Sequence, residues 1–310
     1  MIHVRSIAAD ELGAFAALTS EAERVERLVT DAWADGTGRP EWTLLAHHDG
    51  RPVGRLVLLA EPMGGGVSEL EFRIAAPWLD WSDASTDAAT ALLNSASEAA
   101  RPHAPTVIER RLNLELHEDI DRWRAVLEAN GFGLFQEKQG FVWTDAGELL
   151  PEPTRLQFST LAEIGPDAFA DAMAASIPGT LDRNDRYYVA RCGPRPWAEE
   201  MAGFLKPEDA EAALVAREPD GTLAGYVAVA EFEPGLSTIV HIAVAPACRG
   251  RGYIDELLAM AHSATRTRGF KADLSDVDTL NAPMLAAMER NGHRGDARPW
   301  HVWAYRRAIE

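Results

Sequence analysis

Cysteine, lysine and long apolar segments are scarce in this chain of 310 residues. Its two cysteines, Cys192 and Cys248, cannot form a disulfide framework, and the sequence has no C-x-x-C or H-E-x-x-H motif. We therefore expect neither a disulfide-stapled fold nor a metal site. No apolar run approaches the roughly 18 residues of a membrane span, and the first residues do not resemble a secretory signal. These absences favour a cytoplasmic protein that acts without a membrane.

The charge of the chain is strongly negative, with 48 Asp and Glu against 30 Lys and Arg and a net charge of −18. Such a chain repels nucleic acid, whereas cationic ligands are attracted to acidic clefts. The alternative is that the charge serves only solubility. Hydrophobic residues make up 46% and charged residues 25% of the chain, as in a globular protein. At roughly 100–200 residues per domain, the length predicts two domains.

The sequence contains an internal repeat. Asp49-Gly50 and Asp220-Gly221 are each followed by three residues, a glycine and an apolar strand, and Asp-Gly is a hairpin signal. Asn130-Gly131 and Asn291-Gly292 each close an amphipathic helix, after which comes an aromatic-rich strand. Both copies have the order strand, helices, two or three strands, helix, strand, helix, strand.

This repeat predicts an α+β fold of two similar domains. We place the copies at residues 1–148 and 154–310, joined by a proline-containing linker at 149–153. Each copy is expected to form a twisted, mostly antiparallel sheet that is flanked by helices.

The most specific stretch follows the apolar strand 239–244. Arg249-Gly250-Arg251-Gly252 comes there directly before an amphipathic helix. Glycines let backbone N–H groups approach a ligand closely, and a helix N-terminus favours anions. Because the two arginines add charge-assisted hydrogen bonds, the pattern predicts a pyrophosphate site. It matches neither the G-x-G-x-x-G nor the Walker A phosphate motif.

The stretch V-A-P-A-C-R-G-R-G resembles the acetyl-CoA loop of the GCN5-related N-acetyltransferase (GNAT) superfamily. The family pattern is Gln/Arg-x-x-Gly-x-Gly/Ala after a strand that ends in Val-x-Pro. Arg249, Gly252 and Ile254 take its three key positions, with Ile254 in place of a small residue. The resemblance implies that acetyl-CoA, as acyl donor, is bound by Ile242, Ala243, Val244, Arg249, Gly250, Arg251, Gly252, Tyr253, Ile254 and Asn281.

Two departures from the family pattern bear on function. Met288 stands where many members carry a tyrosine that acts as general acid. The first copy lacks the loop and has acidic residues, such as Asp80 and Asp83, where a pyrophosphate would lie. The chain therefore resembles a tandem acetyltransferase with a degenerate N-terminal domain, an architecture shared with mycothiol synthases.

In this family the amine attacks the thioester directly, so the protein must remove a proton and position both partners. His241, Glu231 and Asp276 are the candidate catalytic residues, because they lie on the strand before the loop or at the ends of its neighbours. A structural histidine, a solvated loop and a helix cap are the competing interpretations of these three residues.

Residues 178–201 lie where the family usually sets acceptor specificity, and they mix acidic and aromatic side chains that suit an ammonium group. The candidate acceptor residues are Asp182, Asp185, Tyr187 and Asp278. The predicted function is N-acetylation of a small cationic amine by a monomer or homodimer, with no nucleic-acid partner. The alternative is a non-catalytic acyl-CoA-binding or protein-interaction module.

Overall fold

The computed structural model describes residues 1–62, 70–103, 107–113, 119–145, 153–295 and 301–308. The elements of the first half are β1 (Ile2–Ser6), α1 (Leu12–Ala16), α2 (Ala22–Asp35), β2 (Thr43–His48), β3 (Arg51–Pro62), β4 (Leu70–Leu79), α3 (Ser85–Ala100), β5 (Val107–Asn113), α4 (Ile120–Ala129) and β6 (Gly133–Thr144). Those of the second half are β7 (Gln157–Thr160), α5 (Leu161–Ser176), α6 (Arg183–Cys192), α7 (Pro194–Gly203), β8 (Ala213–Arg217), β9 (Leu223–Glu233), β10 (Leu236–Val244), α8 (Tyr253–Thr267), β11 (Ala272–Asp278), α9 (Ala282–Arg290) and β12 (His301–Ala308). Helices and strands thus mix as the predicted α+β class requires.

These elements divide into two compact units. Unit 1 contains the described residues up to Phe135 and those from Trp303 on, and unit 2 contains those from Gln136 to Val302. The strand order is β1-β2-β3-β4-β5-β12 in unit 1 and β6-β11-β10-β9-β8-β7 in unit 2. Most of the closing strand of each sequence copy therefore belongs to the other unit.

The repeat in the sequence does not predict this exchange of closing strands. β6 pairs antiparallel with β11, from Thr144 opposite Ala272 to Lys138 opposite Asp278. Side chains from the first copy thereby become part of unit 2. Residues 149–152 of the expected linker lie outside the described residues, so the copy boundaries at 148 and 154 stay a prediction.

Both Asp-Gly pairs form the hairpin turns that the sequence predicts. Between β2 and β3, Asp49 and Gly50 have φ angles of 50° and 81°. Positive φ at both central residues is the turn geometry that matches the twist of the flanking strands. Between β8 and β9, Gly221 has φ of 89° and donates its N–H to Glu218 O at 2.9 Å.

Helices cover both faces of the unit 2 sheet. Tyr226 of β9 is buried against Phe169 of α5 on one face, and its neighbour Val227 is buried against Leu257 of α8 on the other. Successive strand residues point to opposite faces, which explains why β9 is apolar almost throughout. No helix in the described ranges is long and apolar enough to cross a membrane.

The parallel strands β10 and β11 diverge. Their pairing covers Leu236 and Ser237 of β10. Beyond that point the Ser275 hydroxyl on β11 accepts the N–H of Ile239 at 3.0 Å. The register of β10 against β9 shifts between Ile239 and His241, and such a bulge bends a strand. The space between the diverging strands forms the cavity described below.

Two buried histidines connect α8 to the segment after α9. The Nε2 atoms of His262 and His293 lie 2.7 Å apart, and the Trp143 ring stacks on His262 with centroids 4.1 Å apart. Burial lowers the pKa of His262 to about 4 and that of His293 to about 3. The described residues contain no group of three or more His, Cys, Asp or Glu side chains placed to hold a metal ion. The pair is therefore a neutral imidazole hydrogen bond, in which one Nε2 donates and the other accepts.

We expect the free energy of unfolding to fall when the pH drops from 7 to 5. The folded pKa values lie below the usual histidine value of about 6.5, so the neutral pair stabilises the fold above that pH and loses this effect as the pH falls toward 4. At pH 5 the loss is about 2 kcal/mol for each ring that stays neutral in the fold. Denaturant titrations at both pH values measure it. His293→Gln should reduce the difference in unfolding free energy between the two pH values, and His3→Gln, at an exposed position, should not. An equal difference in the native protein and both variants would contradict this assignment.

Candidate functional site

A cavity of about 660 Å³ opens in unit 2 between β10 and β11. The start of α8, the start of α9 and the segment between α5 and α6 complete its walls. The predicted residues that line it are Asp182, Asp185, His241, Ile242, Ala243, Val244, Arg249, Gly250, Gly252, Tyr253, Ile254, Asp276, Asp278 and Asn281. Three further predicted residues, Tyr187, Glu231 and Arg251, are not among the lining residues.

One end of the cavity is the turn between β10 and α8. Gly250 and Gly252 have φ angles of 77° and 76°, a conformation that glycine adopts without strain. In the part of the chain that the structure describes, no protein group accepts a hydrogen bond from the backbone N–H groups of residues 250–254. N–H groups beside a helix N-terminus bind anions, so this end of the cavity fits a pyrophosphate.

Arg249 holds this turn in place. Its guanidinium donates to the carbonyl oxygens of Val244 at 3.1 Å, Gly179 at 3.2 Å and Ser176 at 3.0 Å. These bonds tie the turn to the end of β10 and to the end of α5. In the structure the Arg249 side chain positions the backbone of the turn, and its direct contact with a pyrophosphate stays a prediction.

Arg251 and Arg155 brace the same turn from outside the cavity. Arg251 Nη1 lies 2.7 Å from Glu218 Oε1, and the Tyr253 hydroxyl donates to the same oxygen at 2.8 Å. Arg155 donates to the carbonyl oxygens of Arg251 at 2.8 Å and Gly252 at 3.3 Å. These contacts fix the peptide planes of the turn and therefore the direction of its N–H groups.

The edge of β10 supplies a further donor beside the turn. The N–H of Ala245 donates to Ala224 O on β9 at 2.8 Å. Backbone groups of successive strand residues face opposite edges, so the N–H of Val244 faces the opening between β10 and β11. A fixed N–H at such an edge can stabilise an oxyanion that develops on a bound carbonyl.

At the other end of the cavity, His241 is held between two partners. Its Nε2 lies 3.0 Å from Asp185 Oδ2, and its Nδ1 lies 2.6 Å from the Tyr226 hydroxyl. Burial lowers the pKa of His241, but the Asp185 carboxylate outweighs burial and raises this pKa above its usual value. Burial also raises the pKa of Tyr226, so its hydroxyl keeps its proton. The Asp185–His241 pair can therefore take up and release a proton.

Asp182 and Asp278 are joined by an amide from β6. Gln136 Nε2 donates to Asp278 Oδ2 at 3.0 Å and to Asp182 Oδ2 at 3.1 Å. Asp278 also accepts the N–H of Arg183 at 2.8 Å, and Asp182 caps α6 by accepting the N–H of Asp185 at 3.0 Å. Burial and the nearby Asp185 carboxylate raise the pKa of Asp182. Both carboxylates therefore help to build the wall of the cavity.

The remaining predicted residues have other surroundings. Asp276 lines the cavity and pairs with Lys138 of β6 at 2.8 Å. Glu231 is exposed and accepts the N–H of Gly235 at 3.3 Å in the turn between β9 and β10. The Tyr187 ring lies outside the cavity lining and packs edge-on against a neighbouring tyrosine at 5.2 Å.

The start of α9 closes the cavity next to β11. Asn281 caps this helix, because its side-chain oxygen accepts the N–H of Met284 at 3.4 Å. Met288 lines the cavity, is 1% exposed and packs in a buried cluster with Phe141 of β6. A thioether cannot transfer a proton, so the acid–base chemistry of this cavity depends on the opposite wall.

Residues 182–293, which form most of these walls, match the model of the Acetyltransferase (GNAT) family. The match lies within unit 2. The match confirms the resemblance inferred from the loop, and it confirms the predicted enzyme class, an N-acetyltransferase. The search of curated proteins found no match to the chain.

Solved structures of GNAT proteins share the fold over most or all of the chain. A GCN5-related N-acetyltransferase from Sphaerobacter thermophilus is 17% identical with a TM-score of 0.66, and the match covers 100% of this chain and 96% of that one. A tandem GNAT protein from the clavulanic acid biosynthesis pathway, crystallised without AcCoA, is 18% identical with a TM-score of 0.56, covering 100% and 99%. A GCN5-related N-acetyltransferase from Kribbella flavida is 15% identical with a TM-score of 0.52, covering 81% and 85%. These likenesses confirm the predicted fold class of two GNAT-like α+β halves.

The turn of unit 1 that corresponds to the GNAT loop follows β4. The Asp80 carboxylate lies there at the start of α3, where its Oδ1 accepts the Ser82 N–H at 3.0 Å and the Ser85 hydroxyl at 2.8 Å. Burial would raise the pKa of Asp80, but these hydrogen bonds lower it. The chain thus places its own anion at this helix N-terminus, in agreement with the expectation that acidic residues oppose a pyrophosphate here.

Four side chains that line the cavity or contact its lining residues were not predicted from the sequence. Gln136 and Lys138 come from the first copy, Arg155 precedes the second copy's first strand, and Tyr226 lies on an apolar strand. Lys138 had one usable signal, since the chain has just three lysines and this one lies close before the aromatic residues Phe141 and Trp143. The other three carry no local motif.

Proposed function

We propose that the protein is an acetyl-CoA-dependent N-acetyltransferase that acetylates a small, cationic amine by direct attack on the thioester. The observation that supports this most strongly is a single cavity in the GNAT domain. One end has an N–H-rich turn that suits a pyrophosphate, and the other has the Asp185–His241 pair. An acyl donor and an acceptor amine can therefore bind at separate ends of one cavity.

The residues at the turn fit acetyl-CoA, which supplies an activated acetyl group when bound. The N–H groups of residues 250–254 would hold the pyrophosphate, with Arg249 and Arg155 fixing their direction. The edge of β10 around Val244 would meet the thioester carbonyl. Ile254, which departs from the family pattern, lines the cavity as an apolar side chain.

At the acceptor end, the neutral amine nitrogen forms a bond to the acetyl carbonyl carbon, and the Asp185–His241 pair takes a proton from that nitrogen as the bond forms. The carbon–sulfur bond breaks. The sulfur leaves as a thiolate and gains a proton, so that one amide and one free thiol form for each acetyl group transferred. An amine that arrives as an ammonium ion releases one additional proton to solvent.

The alternative function is an acyl-CoA-binding or protein-interaction module without catalysis, which the buried Met288 favours. An assay of free thiol release from acetyl-CoA, run with a panel of primary amines and with product mass determined, separates the two. Acetylated product with an equal amount of thiol supports the transferase. Tight acetyl-CoA binding without product for any amine supports the module.

Arg249→Ala is expected to weaken acetyl-CoA binding at least tenfold, roughly 1.4 kcal/mol, because three hydrogen bonds that fix the turn are lost. Calorimetric titration measures the affinity. Arg251→Ala should have a smaller effect, since this half-exposed side chain is paired with Glu218. A larger effect from Arg251 than from Arg249 would contradict the bracing role.

A further inference from the structure

We propose that the acceptor is a monoamine with an apolar body, and that Lys138 excludes diamines and polyamines by neutralising Asp276 at the acceptor end. This inference rests on the proposed acetyltransferase function. It goes further by naming the substrate class and a residue that sets specificity.

The charge available at the acceptor end is smaller than the sequence indicates. Among the described residues that line the cavity, the carboxylates are Asp182, Asp185, Asp276 and Asp278. Asp278 is 2% exposed and accepts three hydrogen bonds, from the N–H groups of Leu280 and Arg183 and from the Gln136 amide. Little of this carboxylate is exposed to meet an ammonium group.

Both carboxylate oxygens of Asp182 also accept hydrogen bonds from protein groups. Both of its oxygens lie within 3.2 Å of the Gln136 amide nitrogen, and Oδ1 accepts the N–H of Asp185 at the start of α6. Its burial disfavours a full negative charge. A ligand cation gains little from this carboxylate.

Asp276 is paired within the cavity wall. Lys138 Nζ lies 2.8 Å from Asp276 Oδ1, and the two side chains are 29% and 34% exposed. The pair is therefore electrically neutral toward a ligand and lies where solvent reaches the cavity. A second ammonium group at this position would face the Lys138 charge at close range.

Asp185 is the carboxylate that remains for the substrate, and it shares its charge with His241 at 3.0 Å. A single carboxylate paired with a single imidazole can bind one amino group of a substrate and accept one proton from it. The cavity lining also includes the apolar side chains of Ile177, Leu181 and Met201, and Leu181 is 42% exposed. An exposed leucine in a cavity wall favours an apolar substrate body.

The test compares two amines of equal length, hexylamine and 1,6-diaminohexane, with acetyl-CoA as donor. The native protein should acetylate hexylamine with a kcat/KM at least tenfold higher. Lys138→Met should narrow this ratio about threefold to fivefold, as expected for an exposed charge pair. Lys271→Met, which removes the same charge at an exposed position outside the cavity, should leave the ratio unchanged.

A second variant moves the ratio in the opposite direction and keeps the test decisive if Lys138→Met does not fold. Asp276→Asn removes the carboxylate that pairs with Lys138 at 2.8 Å, and with it one negative charge at the acceptor end, so discrimination against the diamine should increase. A native preference for the diamine, or equal ratios in all variants, overturns this inference while the transferase function stands. If no amine is acetylated at all, the proposed function fails and this inference fails with it.

Discussion

Replacing His241 with glutamine is expected to lower kcat for amine acetylation by roughly 100-fold or more, the usual contribution of a general base. The imidazole bridges Asp185 and Tyr226 inside the cavity, and glutamine preserves the hydrogen bonding while it cannot take up a proton. Acetyl-CoA affinity should stay within about twofold of native, since His241 lies away from the turn at residues 250–254. Steady-state kinetics with titration of acetyl-CoA measures both values.

The pH profile distinguishes proton transfer from a structural role. Asp185 raises the pKa of His241 above its usual value, so the imidazole is protonated, and inactive as a base, at low pH. The kcat value should therefore rise with pH through an apparent pKa above about 6.5. Asp185→Asn should move this rise to lower pH, and His241→Gln should abolish it. A native-like rise in His241→Gln would show that another group accepts the proton.

A chain that begins at residue 154 is expected to be insoluble and to bind no acetyl-CoA. It lacks β6, which pairs with β11 from Thr144 to Lys138, so a backbone edge next to the cavity would be exposed. It also lacks Phe141, which is 1% exposed and packs against Leu258 of α8. Expression of this fragment, with circular dichroism and acetyl-CoA titration, measures the effect.

Phe141→Ala in the full chain is the matched variant. It keeps the β6 backbone and is expected to cost about 3–5 kcal/mol of unfolding free energy, as for other buried phenylalanines. If Phe141→Ala folds and binds acetyl-CoA while the fragment does neither, the loss in the fragment is due to the missing β6 backbone and not to Phe141 alone. A soluble fragment that binds acetyl-CoA with native affinity would contradict the assignment of β6 to unit 2.

Local patterns were sufficient to predict the donor end of the site. The Arg249-Gly250-Arg251-Gly252 stretch predicts an anion-binding turn because glycine conformations and a following helix are encoded within a few residues. The role of Arg249 could not be predicted in the same way. Its carbonyl partners Ser176 and Gly179 lie more than sixty residues away in the sequence, so only the fold reveals the bracing.

The roles of the acidic residues at the acceptor end could not be predicted from sequence patterns. Asp182, Asp185, Asp276 and Asp278 look equivalent as an acidic cluster, but their hydrogen-bond partners give them different roles. Those partners include Gln136 and Lys138 of β6, which reach unit 2 through the exchange of closing strands. Two similar copies contain the same pairing information for either sheet, so the repeat alone cannot predict which closing strand joins which unit.

The measurement that tests the central claim most directly is product analysis with acetyl-CoA that carries a ¹³C-labelled acetyl group and with hexylamine as acceptor. Mass spectrometry should detect labelled N-acetylhexylamine and one free thiol for each amide formed, and His241→Gln should lower the rate of formation of both by roughly 100-fold or more while it still binds acetyl-CoA. Binding of acetyl-CoA by the native protein with no labelled amide from any amine in the panel would contradict the claim that this cavity performs acetyl transfer.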